Sequence, residues 1–339
     1  MYFGKEIARR AVTAALMLAA AAAPAAAAGI SVDVSLGDVS INKVPFLIAA
    51  DQGIYAKNGL DVHQFITPGA ASAAEKSGVV VPPEYVKSGM KPPIAVGGGS
   101  PMIIDVVNKP GTMARVIVST TEDFAKDHIL ANSSVNSLAD LKGKRIGYSD
   151  YGTVTNYDTL SFVKKMGWTP GKDVTLVEQG ATVDALKQGK VDAVVGSAMI
   201  VAVAQKNNFK DIGDLTQYNI PLAGSGIMVE KDWLPANRDT VARFVKSGVQ
   251  AVALMKTDKK VFDAALVKWF NIKDKATQDR MFAAVKQFPE KPYPSVAGIK
   301  GMMALYDNAA MRSHKAEEFY DSSFITELDK SGFLDHPLK

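Results

Sequence analysis

Three places in the sequence set glycine and small hydroxyl residues at the end of an apolar run, just before a helical pattern begins. They are Gly97–Gly98–Gly99–Ser100, Ser149 with Gly152–Thr153, and Gly196–Ser197. A helix start offers free N–H donors and a partial positive charge, so such a junction can hold an anion without a buried Lys or Arg. The carboxyl ends of strands in open α/β sheets are also where ligands sit. Ser and Thr at these places serve equally as ordinary helix N-caps, each worth about 1 kcal/mol. Both readings stay open for any one junction, but three of a kind favour an anion cradle over an isolated cap.

Catalytic constellations are missing from the pattern. "GYSDYG" places a Ser between glycines but does not spell G-x-S-x-G. There is no H-E-x-x-H, and His63, His128, His314 and His336 are far apart and lack ligand spacing. "GGGS" lacks the G-K-[ST] of a phosphate loop. In "VDALKQGKVDA", Asp184 reads as a helix-dipole partner and Asp192 as a turn residue. Nothing here asks for a catalytic residue, a metal or a cofactor, and the chain is read as a non-enzyme.

The elements that must carry these junctions follow a βαβ rhythm. "ISVDVSLG" alternates as a strand, "PFLIAADQGIYAKNG" is helical and closed by Gly59, and "LDVHQFI" is a second strand. "IAVGGGS" and "ARVIVST" are further strands, with "PMIIDVVNK" between them as a helix bearing Pro101 in its first turn. The rhythm restarts after Ser137 and Asp140, which have capping-box spacing. "KRIGYS", "DVTLVEQ" and "VDAVVGS" read as strands, alternating with helices at Thr153–Gly167, Thr182–Gly189 and Ala198–Asn207. From Ala236 the chain is mostly helical. Two alternating runs imply two parallel-sheet α/β lobes.

Residues 1–28 have a short basic head followed by an Ala-rich apolar stretch ending in small residues, which predicts a cleaved signal peptide and a mature start near Gly29. That segment supplies +2 of the net charge of +4, and no basic stripe with interleaved aromatics remains to suggest nucleic acid. The absence of cysteine rules out disulfides, thiolate metal sites and a lipid-modified N-terminal cysteine. A soluble, monomeric, periplasmic protein is expected.

"VPFLIAADQGIYAKNGLDV", "SLADLKGKRIGYSDYGT" and "DALKQGKVDAVVGS" together resemble periplasmic solute-binding proteins of the nitrate/sulfonate/taurine and thiamine-precursor family. The resemblance implies a type II periplasmic-binding-protein fold, with two α/β lobes joined by a two-strand hinge. Residues 29–119 and 226–339 would form lobe 1 and residues 120–225 lobe 2, with crossings near Thr120–Ala131 and Leu222–Val229. It also implies capture of a small organic anion, of sulfonate or carboxylate type, and its delivery to an ABC-transporter membrane permease. Two alternatives stay open: an enzyme of the thiamine-pyrimidine synthase type, and a periplasmic ligand sensor. Carried over by position, the pocket takes Ser40, Ile41, Asn42, Gly99, Ser100, Gly152, Thr153 and Thr155, with Tyr151 and Ser197 added as neighbours. Lys43 could supply a cation to this pocket, but a lone Lys in a loop is more often solvated.

Overall fold

The alternating run at Ile30–Leu36 (β1) buries Val32, Val34 and Leu36. It pairs in parallel with Leu60–Ile66 (β2) and Ile94–Gly98 (β3). Late in the chain, Ser225–Glu230 (β10) inserts antiparallel between β3 and Arg115–Thr120 (β4), giving the order β2-β1-β3-β10-β4. The second sheet repeats this plan. Arg145–Gly147 (β6), Thr175–Val177 (β7) and Ala193–Gly196 (β8) are parallel, and His128–Ala131 (β5) inserts antiparallel between β8 and Lys210–Asp214 (β9). The computed structural model describes residues 29–339, so the expected signal peptide lies outside the described residues.

Each sheet therefore has an antiparallel strand inserted directly after a crossing, β5 after the first and β10 after the second, and the backbone crosses between sheets at residues 121–127 and 215–224. β9 was not among the expected strands. "KDIGD" has one apolar residue, Ile212, and as an edge strand it buries no side chain fully, so no alternation marks it.

The helices are Val44–Asp51 (α1), Ile54–Lys57 (α2), Pro68–Glu75 (α3), Gly99–Asn108 (α4), Val154–Lys165 (α5), Val183–Lys187 (α6) and Ala198–Lys206 (α7). After β10 come Arg238–Thr257 (α8), Lys259–Phe270 (α9), Lys275–Ala283 (α10), Val296–Leu305 (α11), Ala309–Arg312 (α12) and Ser323–Lys330 (α13). Helix starts match the expected caps: Thr153 Oγ1 accepts the Asn156 N–H at 3.3 Å, and Asp140 accepts the Ser137 N–H at 3.0 Å. Pro101 falls in the first turn of α4.

The helical C-terminal part touches both halves of the molecule. α8 and α9 pack on α1, whereas α10 packs on α7 and α11 on α4. Lys206 pairs with Asp274 at 2.8 Å, and a Cβ on Gly78, just past α3, would stand 3.5 Å from Val203 on α7. Tyr306, after α11, donates to Asn156 Oδ1 at 2.7 Å. Tyr306→Phe removes that buried bond but leaves Asn156 Oδ1 its Gly152 N–H donor at 3.0 Å. A loss of about 1 kcal/mol is expected, a fall of roughly 2–3 °C in a thermal melt.

Candidate functional site: a cleft between the two sheets

The strand ends of the two sheets face each other across a cavity of ≈ 450 Å³. The first sheet's side supplies Asp38, Ser40 and Asn42 after β1, the start of α4 and one face of α3. From the second come Ser149, Thr153 and Thr155 around the start of α5, and Gly196, Ser197 and Met199 around the start of α7. The first crossing contributes Glu122 and Asp127, and the start of β10 contributes Ser225. A second cavity, of ≈ 380 Å³, lies within the first lobe between α8 and the Phe288–Pro292 segment. It is walled without any of the three glycine–hydroxyl junctions.

Of the residues expected in the pocket, Ser40, Asn42, Thr153, Thr155 and Ser197 line the cleft, and Ile41, Gly99, Ser100, Tyr151 and Gly152 do not. Ile41 is buried in the core of the first sheet. Gly99 and Ser100 donate their N–H groups to Gly224 O and Ala223 O at 2.7 and 2.8 Å, and the Ser100 hydroxyl donates to Ala223 O at 3.1 Å. That junction is fastened to the second crossing. Tyr151 turns outward and meets Tyr306 edge-on. Gly152 holds a left-handed backbone, φ +79°, with Ile104 Cγ2 2.8 Å from where a Cβ would be, so it is glycine for backbone and packing reasons.

The donors expected to cradle an anion are largely engaged. At α5 the Tyr151 N–H goes to Glu178 Oε1 at 2.8 Å, the Gly152 N–H to Asn156 Oδ1, and the Ser149 N–H to Thr155 Oγ1 at 3.0 Å. The N-cap reading therefore holds at Thr153. Neither α4 nor α7 has a side-chain cap, but the first N–H groups of α4 go to the Gly224 and Ala223 carbonyls.

Charge in the cleft is negative. Asp38, Glu122, Asp127 and Asp150 line it, and among the described residues no Lys, Arg or His does. Lys43 stands behind this wall, fully buried rather than solvated, with Nζ 2.5 Å from Asp38 Oδ2 and 2.6 Å from Ser225 Oγ. The Ser225 N–H in turn donates to Glu122 Oε2 at 3.2 Å. Glu122 fits there because Gly224 has no side chain: a Cβ would stand 2.7 Å from Glu122 Oε2 and from its carbonyl oxygen.

Asp127, on the first crossing, is 6% exposed, and among the described residues its carboxylate meets no hydrogen-bond donor. Burial, then the charges of Glu122 and Asp38, push it up to about 7 despite the opposing pull of His128. Asp158, inside α5, is fully buried with both oxygens unpartnered. Burial first, then Asp127 and Glu122, hold its pKa well above the ordinary carboxyl range. The sequence reading looked for acid pairs in "VDALKQGKVDA", but there Asp192 grips Arg145 at 2.9 Å and Asp184 is exposed beside Lys187. The buried acids that line the cleft lie instead in "TTEDFAKD", where three acids in six residues on a crossing were the available signal.

Residues 40–259, spanning both crossings and all three junctions, match the family model described as NMT1/THI5 like. The chain belongs to this family. No curated protein matches the sequence. Among solved structures, this NMT1/THI5-like chain is similar to the periplasmic nitrate-binding protein NrtA from Synechocystis PCC 6803, with TM-score 0.69 and 12% identity, covering 92% of this chain and 91% of that one. It is similar to a putative sulfonate ABC transporter's periplasmic sulfonate-binding protein SsuA from Methylobacillus flagellatus KT, with TM-score 0.65, 15% identity and coverage of 91% and 96%. The desulfurization enzyme DSZB also resembles it, with TM-score 0.57, 13% identity and coverage of 88% and 99%. The fold is thus that of periplasmic binding proteins, two α/β lobes with a cleft between them, as the sequence resemblance implied. Among the described residues no helix is long and apolar enough to cross a membrane.

Proposed function

We propose that this protein is the periplasmic solute-binding component of an ABC importer, working as a monomer. Lobe 1 takes residues 29–119 and 226–339, and lobe 2 takes residues 120–225. A small molecule held between them favours the closed pair of lobes by the contacts it makes only there, and the membrane permease recognises that pair. The observation that carries this reading is the cavity built from strand ends of both sheets, with the first crossing and the start of β10 in its wall. The NMT1/THI5-like match and the nitrate- and sulfonate-binding structures support it. A sulfonate or carboxylate, the ligand class implied by the resemblance, would use Ser40, Asn42, Ser197 and the first turn of α7 as donors, and would face four carboxylates.

An enzymatic reading has one observation in its favour. Asp127 titrates near 7, in the range of a general base. Capture and turnover separate in one experiment on purified mature protein, freed of co-purified ligand by unfolding and refolding. Thermal melts are recorded against amines, amidines, sulfonates, nitrate, carboxylates and pyrimidines, and the stabilising compound is then recovered and weighed by mass spectrometry. A ligand at about 100 times its dissociation constant adds about 2.7 kcal/mol, a shift of several degrees. A shift with the compound recovered unchanged is the expected result. Chemical conversion would replace capture by catalysis, and a melt unmoved by every class would remove the solute-binding role.

A further inference from the structure

We infer that the cleft selects a small organic cation bearing N–H donors, an ammonium or amidinium group, seated on Asp127 and Glu122 with Asp38 and Asp150 around it. This rests on the solute-binding reading and names the ligand class of the same site.

Four observations carry it. The cavity is lined by four carboxylates and, among the described residues, by no cationic side chain. A bound anion would meet repulsion from every charged group that faces it, whereas a cation would be attracted by all four. Asp127 is more than nine-tenths buried, faces the cavity, and has no donor among the described residues. A buried carboxylate is strongly disfavoured unless donors satisfy it, and N–H groups of a ligand are the donors this geometry admits. Asp38 Oδ1 and Ser40 Oγ, on the opposite lobe, are likewise buried without a partner. Third, the N–H groups that would serve an anion at α4 and α5 are committed to Ala223, Gly224, Glu178, Asn156 and Thr155.

The fourth observation narrows the cation. Among the described residues no group of three or more His, Cys, Asp or Glu is placed to hold a metal ion. No aromatic ring lines the cleft, so the cage that suits a quaternary ammonium is missing. The remaining walls are aliphatic, from Val39, Ala70, Ala74, Val154, Met199 and Ile200. They suit a short hydrocarbon body behind a charged head.

Protonating Asp127 removes the negative charge the head needs. The groups around it are Glu122 and Lys126 on its own crossing, His128 on β5, Asp38 after β1 and Asp158 on α5. Lys126 is occupied with Gln287 O at 2.6 Å, and His128 with Asp211 at 3.0 Å. Affinity for the cation should therefore fall roughly tenfold between pH 8 and pH 6, as one proton comes to compete for the site.

The test is titration calorimetry on the refolded mature protein with agmatine, putrescine and benzamidine, set against choline, ethanesulfonate and nitrate. At least one N–H cation should bind with a micromolar dissociation constant while choline does not. Asp127→Asn and Glu122→Gln should each weaken that binding thirtyfold or more, with circular dichroism confirming that both variants fold. Binding of ethanesulfonate or nitrate, undiminished in Asp127→Asn, would overturn the cation assignment and leave the solute-binding role standing. Choline binding as tightly as the amines would remove the N–H requirement. Silence from all three N–H cations would overturn the inference whatever the anions do, and silence from every class in the melt panel as well would remove both readings.

Discussion

Lys43→Met is expected to lower the melting temperature by roughly 6–12 °C at pH 8, a loss of about 3 kcal/mol. Lys43 is fully buried and binds both Asp38 and Ser225, and Ser225 in turn presents its N–H to Glu122. Removing the ammonium leaves Asp38 without its counter-ion beside three other carboxylates at the cleft. Breaking one side of a buried pair costs more than the pair contributes, because the partner charge is left uncompensated. The estimate sits at the lower end of the usual range because the Asp38 side chain is 45% exposed. Arg should not rescue, since a guanidinium is larger than the ammonium that this closed site accommodates. Melts followed by circular dichroism at pH 8 and pH 5 check the account, and the loss should shrink at the lower pH, where Asp127 has taken up its proton. An equal loss at both pH values would point to packing alone.

Asp127→Asn should act in the opposite direction, stabilising the empty protein at pH 8 by on the order of 2 kcal/mol, or several degrees. The folded-state pKa of Asp127, about 7, lies above the ordinary value of 3.8. The folded state therefore binds the proton more tightly than the unfolded chain. The stability this contributes is complete below pH 3.8 and is lost as the pH rises through 7. Above that, the wild type holds a buried carboxylate without a donor, and Asn removes the charge. The difference between variant and wild type should vanish near pH 4 and grow across pH 4–7. A flat difference over that range would mean that Asp127 titrates normally. The same substitution should weaken cation binding thirtyfold or more, so stability and function separate at one residue.

Much of the frame was legible because it rests on local periodicity. β1 and β2 alternate, Gly167 stops α5 with a left-handed φ of +71°, and Thr153 caps it. The crossings were placed by resemblance, and β9 went unseen because an edge strand with one apolar residue leaves no period to detect. The site was harder to read than the frame. Ser100 and Gly99 are turned away from the cleft by carbonyls of Ala223 and Gly224, more than a hundred positions later. Lys43 looked like a solvated loop residue, and only the fold brings Asp38 and Ser225 around it. Glu122 and Asp127 belong to no motif, and their chemistry arises from burial and from meeting Asp38 across the cleft. Hydroxyl-rich junctions marked where the cleft lies, but not the sign of its charge.

The contact of Gly78 with Val203, together with α10 lying on α7, separates two quantities that a simple pocket would join. The first crossing, α3 and α7 all line the cavity, and α3 and α7 belong to different lobes, so drawing the lobes together about a captured molecule brings that rim together. Contacts between the lobes at that rim belong to the closed pair alone, and they add to whatever a ligand in the cleft contributes. Loosening the rim would therefore favour the open pair and lower occupancy together with residence time, while the preference among ligands stays with the groups that line the cleft.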